Sequence, residues 1–289
     1  MRGRLDEVLA AHGLAPAAPP TRVSGGDICD AWRLDTDSGR VFLKTLSAPQ
    51  AGTLESEAAG LKAIADTETL RVPEVLGLGA TADVAWLALE WLDLGGSGGS
   101  AEQALGAQLA AMHRHTAARH GWHDDNWIGR TSQPNDWCAD WTGFFGEHRL
   151  RHQLRLAAQA GFGHQLQAPG DALLARLPDL LAGHAPKPSL LHGDLWGGNW
   201  GVADGAPVIF DPAVYYGDRE ADLAMTRLFG GFGSAFYEAY DAAWPLPPDA
   251  SQRDALYRLY HVLNHANLFG GGYVQQAGHL METLLVDMW

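Results

Sequence analysis

The stretch that decides the fold runs from Leu190 to Asp211 and reads LLHGDLWGGNWGVADGAPVIFD. Two short apolar runs flank Asp204-Gly205, a dipeptide typical of a tight β-hairpin turn. Because a hairpin returns the chain to its start, we expect Asp211 to lie beside Asn199. One Mg²⁺ could then contact an oxygen of each, since Mg²⁺ needs few protein oxygens besides phosphate and water. Asp194 would lie nearby as a candidate proton acceptor.

Taken singly, these three residues have a simpler explanation, because Asp and Asn often occur in turns. Together they match a more specific pattern. Asp194 follows His192 after one residue, and four residues separate it from Asn199. This is the spacing of the kinase catalytic loop, in which a metal-binding Asp follows a hairpin. The pattern predicts phosphoryl transfer rather than an idle hairpin.

Composition limits the classes of function. The chain has 289 residues, 46% of them apolar, which is enough for one large domain or two modest ones. A formal charge of −14 and the lack of a basic patch argue against nucleic-acid binding. Cys29 and Cys138 are too few for a disulfide framework, so we expect a reducing cytoplasm. The sequence shows neither a membrane span nor a secretory signal, and it leaves the oligomeric state open.

A lysine and a glutamate in the first third of the chain are predicted to pair. Arg40–Leu46 is expected to be a strand, with Lys44 on the same face as Phe42. The helix predicted at about 54–65 carries Glu57 inside its apolar stripe, where a carboxylate is costly unless paired. We therefore expect Glu57 to meet Lys44, as the strand Lys and helix Glu do in kinases. The alternative is an exposed Lys44 and a Glu57 at the helix rim.

Two further segments are candidates for nucleotide contacts. Gly25-Gly26 would let backbone N–H groups approach a phosphate, although a plain hairpin turn is the simpler interpretation of these glycines alone. A Gly/Ser stretch begins at Gly95, so we place a boundary between residues 1–94 and 95–289. In a two-lobed kinase this junction is the hinge. Its backbone at Glu90, Trp91 and Leu92 would hydrogen-bond adenine.

The remainder is predicted to be mostly helical. Ser100 and Gln103 form an apparent capping box at a helix start. Aromatic residues interleaved with amides and carboxylates at 120–153 suit either a polyol pocket or a helical core. The pair His113 and His115 is interpreted as surface residues rather than ligands.

Three carboxylates, Asp218, Glu220 and Asp222, crowd another predicted helix start. The helix dipole favours anions there, so helix capping is their expected role. We also expect one of them, Asp222, to brace the catalytic loop.

These motifs resemble the fructosamine-3-kinase family, also called ketosamine kinases. The resemblance rests on HGDLWGGN at 192–199, FDPA at 210–213, YYGDREADLAM at 215–225 and LNHANLFG at 263–270. The segments DNWIG at 125–129, QPNDW at 133–137 and WTGFF at 141–145 contribute as well. The similarity covers nearly the whole chain from about Val23. Trp196 and the Asn-His motif distinguish this pattern from aminoglycoside and choline kinases.

The resemblance implies a fold and an activity. The implied fold is α+β and protein-kinase-like, with a small antiparallel sheet and one key helix followed by a mostly helical lobe. The implied reaction transfers the γ-phosphoryl group of ATP, with Mg²⁺, to a sugar hydroxyl, usually the 3-hydroxyl. The implied acceptor is a ketosamine such as a ribulosamine or fructosamine, as a small molecule or linked to a protein. Phosphorylation would destabilise the adduct and free the amine, which is a deglycation repair.

The resemblance also implies roles for individual residues. Asp194 would accept the hydroxyl proton, Asn199 and Asp211 would hold Mg²⁺, Lys44 would bind phosphate and Glu57 would position Lys44, while Trp196 and His265 would line the sugar site. One departure lies in the glycine turn, where Asp27 stands in a place that the family often gives to Cys or Ser. We expect Asp27 to point away from the triphosphate, and a redox role for Cys29 is not supported.

Other functions remain as alternatives. The chain could phosphorylate another small alcohol, such as an aminoglycoside or choline-type amino alcohol, or it could be a non-catalytic nucleotide-binding module. A metal hydrolase using His192 and Asp194 lacks enough ligands for catalytic zinc. A protein kinase is disfavoured by Gly193, where regulated kinases carry Arg, and by the short segment between Asp211 and Asp218.

Overall fold

A five-stranded antiparallel sheet with one long helix forms the N-terminal part of the chain. The computed structural model describes residues 9–10, 12–23, 29–95 and 98–286, so the turn residues Gly25, Gly26 and Asp27 lie outside it. The strands are β1 (Thr21–Arg22), β2 (Asp30–Thr36), β3 (Gly39–Ser47), β4 (Val75–Ala80) and β5 (Val84–Glu90), in the order β1-β2-β3-β5-β4. Helix α1 (Ala51–Ala65) follows a single 3₁₀ turn after β3.

The alternation along β3 decides which side chains face α1. Val41 and Leu43 pack into one apolar cluster, on the side of the sheet that faces away from α1. Phe42 and Leu46 pack on the opposite face, against the helix residues Leu54 and Leu61 among others. The period of two in a strand therefore directs Lys44 towards α1, as the sequence predicts.

Helices dominate the rest of the chain. They are α2 (Gly99–Met112), α3 (Trp141–Phe144), α4 (His152–Gln159), α5 (Gly163–Leu180), α6 (Arg219–Leu228), α7 (Ser234–Ala243), α8 (Ala250–Phe269) and α9 (Gly272–Val286). A π-helical segment, Phe145–Arg151, joins α3 to α4 without a break. Helices α2 and α7 approach closely at Gly106, where a Cβ would lie 2.1 Å from the carbonyl oxygen of Phe236.

Three short antiparallel pairs of strands lie among these helices. They are β6 (Asn126–Ile128) with β7 (Thr131–Gln133), β8 (Ser189–Leu191) with β11 (Tyr215–Gly217), and β9 (Trp200–Ala203) with β10 (Ala206–Ile209). The pair β8–β11 leads into and out of the segment singled out in the sequence, and β9–β10 is its hairpin. The expected α+β arrangement, a small sheet with one helix followed by a mostly helical lobe, is confirmed.

Helix α2 begins at Gly99, and the amides of Ala101 and Glu102 bond to the carbonyl of Gly98, which is the N-cap. The predicted capping box at Ser100 is therefore wrong, because the N-cap lies two residues earlier, at Gly98, and Ser100 is in the first turn of the helix. Among the described residues, no helix has the length and hydropathy needed to span a bilayer.

Candidate active site

A cavity of about 1010 Å³ lies between the sheet and the helical part of the chain. Every predicted site residue that the structure describes lines it: Lys44, Glu57, Glu90, Trp91, Leu92, Asp194, Trp196, Asn199, Asp211 and His265. These residues come from the sheet, from α1, from the segment after β5, from the segment around β9–β10 and from α8. The volume is at the upper end of the range for small-molecule sites.

Lys44 is the central member of a group of charged side chains that lines the cavity and includes Glu57 and Asp211. We call this part of the cavity its charged end. Nζ of Lys44 lies 2.7 Å from Oε1 of Glu57 and 2.5 Å from Oδ1 of Asp211. The predicted pair between strand and helix is therefore present, and the Lys44 side chain is only 7% exposed. Burial alone would lower the pKa of Lys44, but the two carboxylates outweigh it and raise the pKa. Lys44 is a fixed positive charge that links three separate elements.

The hairpin predicted at Asp204-Gly205 brings Asn199 and Asp211 together. Both turn residues have positive φ, 52° and 79°, as a two-residue type I′ turn requires. Trp200 pairs with Ile209, and the amide of Phe210 donates to the carbonyl of Asn199 over 3.0 Å. The side chains of Asn199 and Asp211 consequently line the same wall.

Asn199 and Asp211 offer oxygen atoms suited to a hard cation. The Nδ2 group of Asn199 donates to the backbone carbonyl of Asp194 over 2.9 Å, which leaves Oδ1 as an acceptor. Lys44 contacts Oδ1 of Asp211, so the second carboxylate oxygen stays available. Amide and carboxylate oxygens are ligands that Mg²⁺ accepts, and the two residues fit such an ion.

Asp194 lies beside this pair, partly exposed to the cavity. Desolvation raises its pKa to about 7, and the negative charges of Asp211 and Asp222 act in the same direction. A carboxylate with a pKa near neutrality can accept a proton and later release it.

The loop that carries Asp194 requires glycine at position 193. Gly193 has φ +83°, and a Cβ there would lie 2.0 Å from the carbonyl oxygen of Ala213. The amide of Ala213 donates to the carbonyl of His192 over 2.8 Å, so the loop and the segment after Asp211 are in direct contact. An arginine at position 193 would not fit this contact.

Asp222 supports the loop that carries Asp194 through hydrogen bonds. Its carboxylate accepts from the amides of His192 (2.7 Å) and Gly193 (2.8 Å), so the predicted brace is confirmed. His113 donates from Nε2 to the same carboxylate over 3.1 Å, and its Nδ1 lies 2.8 Å from the hydroxyl of Tyr240. Burial alone would raise the pKa of Asp222. Several interactions outweigh burial and lower this pKa, and the largest of them are the hydrogen bond with His113 and the charge of His113.

The interpretation of His113 as a surface residue is wrong, because its side chain is 0% exposed. His113 is the C-cap residue of α2, four residues after Leu109 and in line with the core-facing stripe of that helix, and this periodicity could have revealed its burial. The neighbouring acids have structural partners as well. Asp218 caps α6 through the amide of Glu220, and Glu220 pairs with Arg253 at 2.8 Å.

Residues 120–153 mainly support the active-site segment rather than form a polyol pocket. Gln133 donates to the carbonyl of Ala213 over 3.1 Å, and Asn126 donates to the carbonyl of Val214 over 2.6 Å. The hydroxyl of Tyr260 donates in turn to Oε1 of Gln133 over 2.5 Å. These amides fix the backbone that follows Asp211. The aromatic residues are mostly core, although Trp127 lines the cavity.

At the end of β5, where the predicted hinge begins, the amide of Glu90 is already hydrogen-bonded within the protein. The Glu90 amide donates to the carbonyl of Glu74 over 2.8 Å, and its carboxylate accepts from Arg71 over 2.7 Å. Arg71 also reaches Asp204 in the hairpin turn over 3.0 Å. Within the described part of the chain, the amide of Leu92 bonds to no other backbone group.

The end of the cavity away from Lys44 is lined by aromatic rings. Besides the predicted Trp196 and His265, it contains Phe229, Phe269 and Tyr273, which the sequence analysis did not identify. Phe229 directly follows α6, whereas Phe269 ends α8 and Tyr273 lies in α9. We call these five residues the aromatic wall.

The family model described as fructosamine kinase matches residues 8–287, which is nearly the whole chain. The chain belongs to the fructosamine kinase family.

Individual relatives agree with this assignment. A protein of Synechocystis named "Probable ketoamine kinase" is 45% identical over 265 residues, which is 91% of this chain and 89% of the relative. A chloroplastic protein-ribulosamine 3-kinase of Arabidopsis thaliana is 40% identical over 267 residues, 91% of this chain and 81% of the relative. The crystal structure of a candidate fructosamine-3-kinase from Haemophilus somnus superposes with a TM-score of 0.90 at 30% identity, covering 97% of this chain and 96% of that one.

Proposed function

We propose that this member of the fructosamine kinase family transfers the γ-phosphoryl group of ATP to a hydroxyl group of a ketosamine, and that the hydroxyl is the one on C3. The observation that carries the proposal is one cavity lined by three kinds of group. They are a fixed ammonium from Lys44, two oxygens suited to a cation from Asn199 and Asp211, and a carboxylate with raised pKa from Asp194. Phosphoryl transfer depends on positioning and charge neutralisation, which are what these groups supply.

The charged residues would share the work of binding the triphosphate. Lys44 would bind the phosphate oxygens, and Glu57 would keep Lys44 in place. Asn199 and Asp211 would hold Mg²⁺, which supplies positive charge against the triphosphate. Without this positive charge, Asp194 and Asp211 would repel the nucleotide.

Asp194 would act on the acceptor. As the acceptor oxygen forms its bond to the γ-phosphorus, the bond from that phosphorus to the bridging oxygen breaks and ADP leaves. The proton of the attacking hydroxyl passes to Asp194, whose pKa of about 7 allows it to accept at neutral pH. The products are a phosphomonoester and ADP, so atoms and charge balance.

Adenine would lie near Glu90, Trp91 and Leu92. Because the amide of Glu90 already donates to Glu74, the proposed donor to adenine is the amide of Trp91 or that of Leu92. Phe42 and Leu89, which line the same end of the cavity, would cover the base. We place the division between the nucleotide-covering lobe and the helical lobe at residues 94 and 95.

The sugar would lie against Trp196 and His265. Nδ1 of His265 donates to the carbonyl of His261 over 2.8 Å. Burial lowers the pKa of His265, so the ring is neutral at neutral pH and its Nε2 is left as an acceptor. A sugar hydroxyl could donate to this nitrogen.

An acceptor panel tests the proposal. ATP consumption would be measured with ribulose-lysine, fructose-lysine, an aminoglycoside and choline, each over a range of concentrations. We expect kcat/KM to be at least about a hundredfold higher for one of the ketosamines than for the other two alcohols. Equal or better turnover of the aminoglycoside or choline would show another alcohol kinase. Nucleotide binding without transfer to any acceptor would show a non-catalytic module.

A further inference from the structure

The aromatic wall is a continuous cluster of rings. Phe229 lies 4.7 Å from His265 and 6.3 Å from Trp196, measured between ring centroids. Tyr273 lies 5.1 Å from His265 and 6.3 Å from Phe269. None of these pairs is parallel, since the interplanar angles run from 45° to 76°. Ring faces consequently point in several directions.

This wall is open to a ligand that reaches outward from Asp194. The side chains of Trp196, Phe229 and Phe269 are exposed, with Phe269 the most exposed at 51%. Large exposed aromatic side chains grouped in one concave site are typical of binding surfaces. Among the residues that the structure describes, none covers the exposed part of these three rings.

The five residues of the aromatic wall carry no formal charge, and the charged side chains of the cavity belong to other residues. The described lining residues with charge are Lys44, Glu57, Glu90, Asp194 and Asp211. Lys44 is the one Lys or Arg in that set, and Glu57 and Asp211 neutralise it. The aromatic wall therefore presents ring faces and a neutral histidine, and no cation to repel a positive ligand.

Ring faces of this kind attract cations. The quadrupole of an aromatic ring is negative at its face, and an ammonium within about 6 Å of the centroid is stabilised. A ketosamine carries a secondary amine that is protonated at neutral pH, on the sugar carbon adjacent to the ketone carbon. In the pose proposed above, the reacting hydroxyl lies at Asp194 and the sugar on Trp196, and the amine of the acceptor would be directed towards the outer rings.

We propose that Phe229, Phe269 and Tyr273 form a subsite for the ammonium group of the acceptor, and that they make the enzyme select cationic ketosamines over uncharged sugar derivatives. This inference rests on the proposed function and adds the residues that determine which acceptors the enzyme selects. Nε2 of His265, left as an acceptor by the bond to His261, is the polar group of the same subsite.

The test compares two acceptors that differ in charge. One is an N-alkyl ribulosamine, and the other is the matching ether in which oxygen replaces the amine nitrogen. The variants Phe229→Leu, Phe269→Leu and Tyr273→Leu keep apolar bulk but remove the ring quadrupole. Tyr237→Leu is the matched control, because Tyr237 is a half-buried tyrosine of α7 outside the cavity, with its ring against Arg227.

We expect the wild-type protein to prefer the amine, and the Leu variants to raise KM for the amine about three- to tenfold with kcat nearly unchanged. KM for the ether should change by less than about twofold, and the control should change neither value. Equal kcat/KM for the two acceptors in the wild type, or equal changes for both in the variants, would overturn the subsite alone. If the wild type phosphorylates neither acceptor, the proposed function fails and the subsite with it.

Discussion

The two ends of the cavity are built in different ways. The end around Lys44 consists of charged groups that bond to one another, with Lys44 held by Glu57 and Asp211 and with Asn199 bonded to Asp194. The aromatic wall consists of rings in contact, joined to the protein chiefly by packing. A change at the charged end leaves a buried polar group unpaired, whereas a change in the wall removes only part of an apolar contact. The charged end should therefore respond to substitution more steeply than the wall.

The largest effect is expected at Asp194. Asp194→Asn should lower kcat about 10²- to 10⁴-fold, because the variant cannot accept the hydroxyl proton. Binding of ATP should persist, since the other charged groups remain. Steady-state rates and nucleotide titration measure the two quantities, and Asp204→Asn in the hairpin turn is the control. A decrease in kcat of less than about tenfold would remove Asp194 as the proton acceptor.

A somewhat smaller effect is expected at Asp222, which lies outside the cavity. Asp222→Asn replaces one carboxylate oxygen with an NH₂ group. This group then faces a hydrogen-bond donor, which is the amide of His192, the amide of Gly193 or Nε2 of His113. Displacement of the loop should lower kcat about tenfold to a hundredfold, and the lost bonds should reduce the free energy of unfolding by about 1 to 3 kcal/mol. The exposed Asp171→Asn serves as control. Wild-type kcat in the Asp222 variant would show that the loop keeps its position without this brace.

Two glycines with positive φ give a matched pair. Gly193→Ala meets the carbonyl of Ala213, whereas Gly205→Ala meets nothing within 4 Å. Both variants should lose about 1 kcal/mol of unfolding free energy through backbone strain, and Gly193→Ala should lose roughly 1 to 3 kcal/mol more through the clash. Chemical denaturation gives both values. Equal losses would mean that the loop can move away from Ala213.

The smallest effect concerns pH and a histidine next to the aromatic wall. Burial lowers the pKa of His261 to about 3 in the folded protein. In the unfolded chain, the imidazole of His261 binds a proton below about pH 6.5, whereas in the folded protein it stays neutral down to about pH 3. The contribution of His261 to stability is therefore complete above pH 6.5 and is lost as the pH falls towards 3. Between pH 6.5 and 5 the wild type should lose about 1 to 2 kcal/mol more than His261→Gln. Parallel stability curves for the two proteins would contradict the lowered pKa.

The charged end could be predicted because local rules govern it. The Asp204-Gly205 turn fixes the hairpin, so Asn199 and Asp211 had to meet, and the apolar stripe of α1 placed Glu57 opposite Lys44. The resemblance of the motifs to a known family supplied the fold around these elements.

The aromatic wall and the pairing of His113 with Asp222 were harder to predict. Phe229 follows α6, Phe269 ends α8 and Tyr273 lies in α9, and no short motif fixes how these helices pack. His113 meets Asp222 from 109 positions away, so its partner is invisible to spacing rules. Pairings of this kind depend on the tertiary packing of whole helices.

Direct detection of the product tests the central claim. The protein would be incubated with ATP, Mg²⁺ and ribulose-lysine, and the mixture followed by ³¹P NMR with proton correlation. The account predicts a new phosphomonoester signal coupled to the proton on C3 of the sugar, formed in step with ADP and absent with Asp194→Asn. Release of inorganic phosphate alone, or a phosphoryl group on another atom of the acceptor, would contradict it.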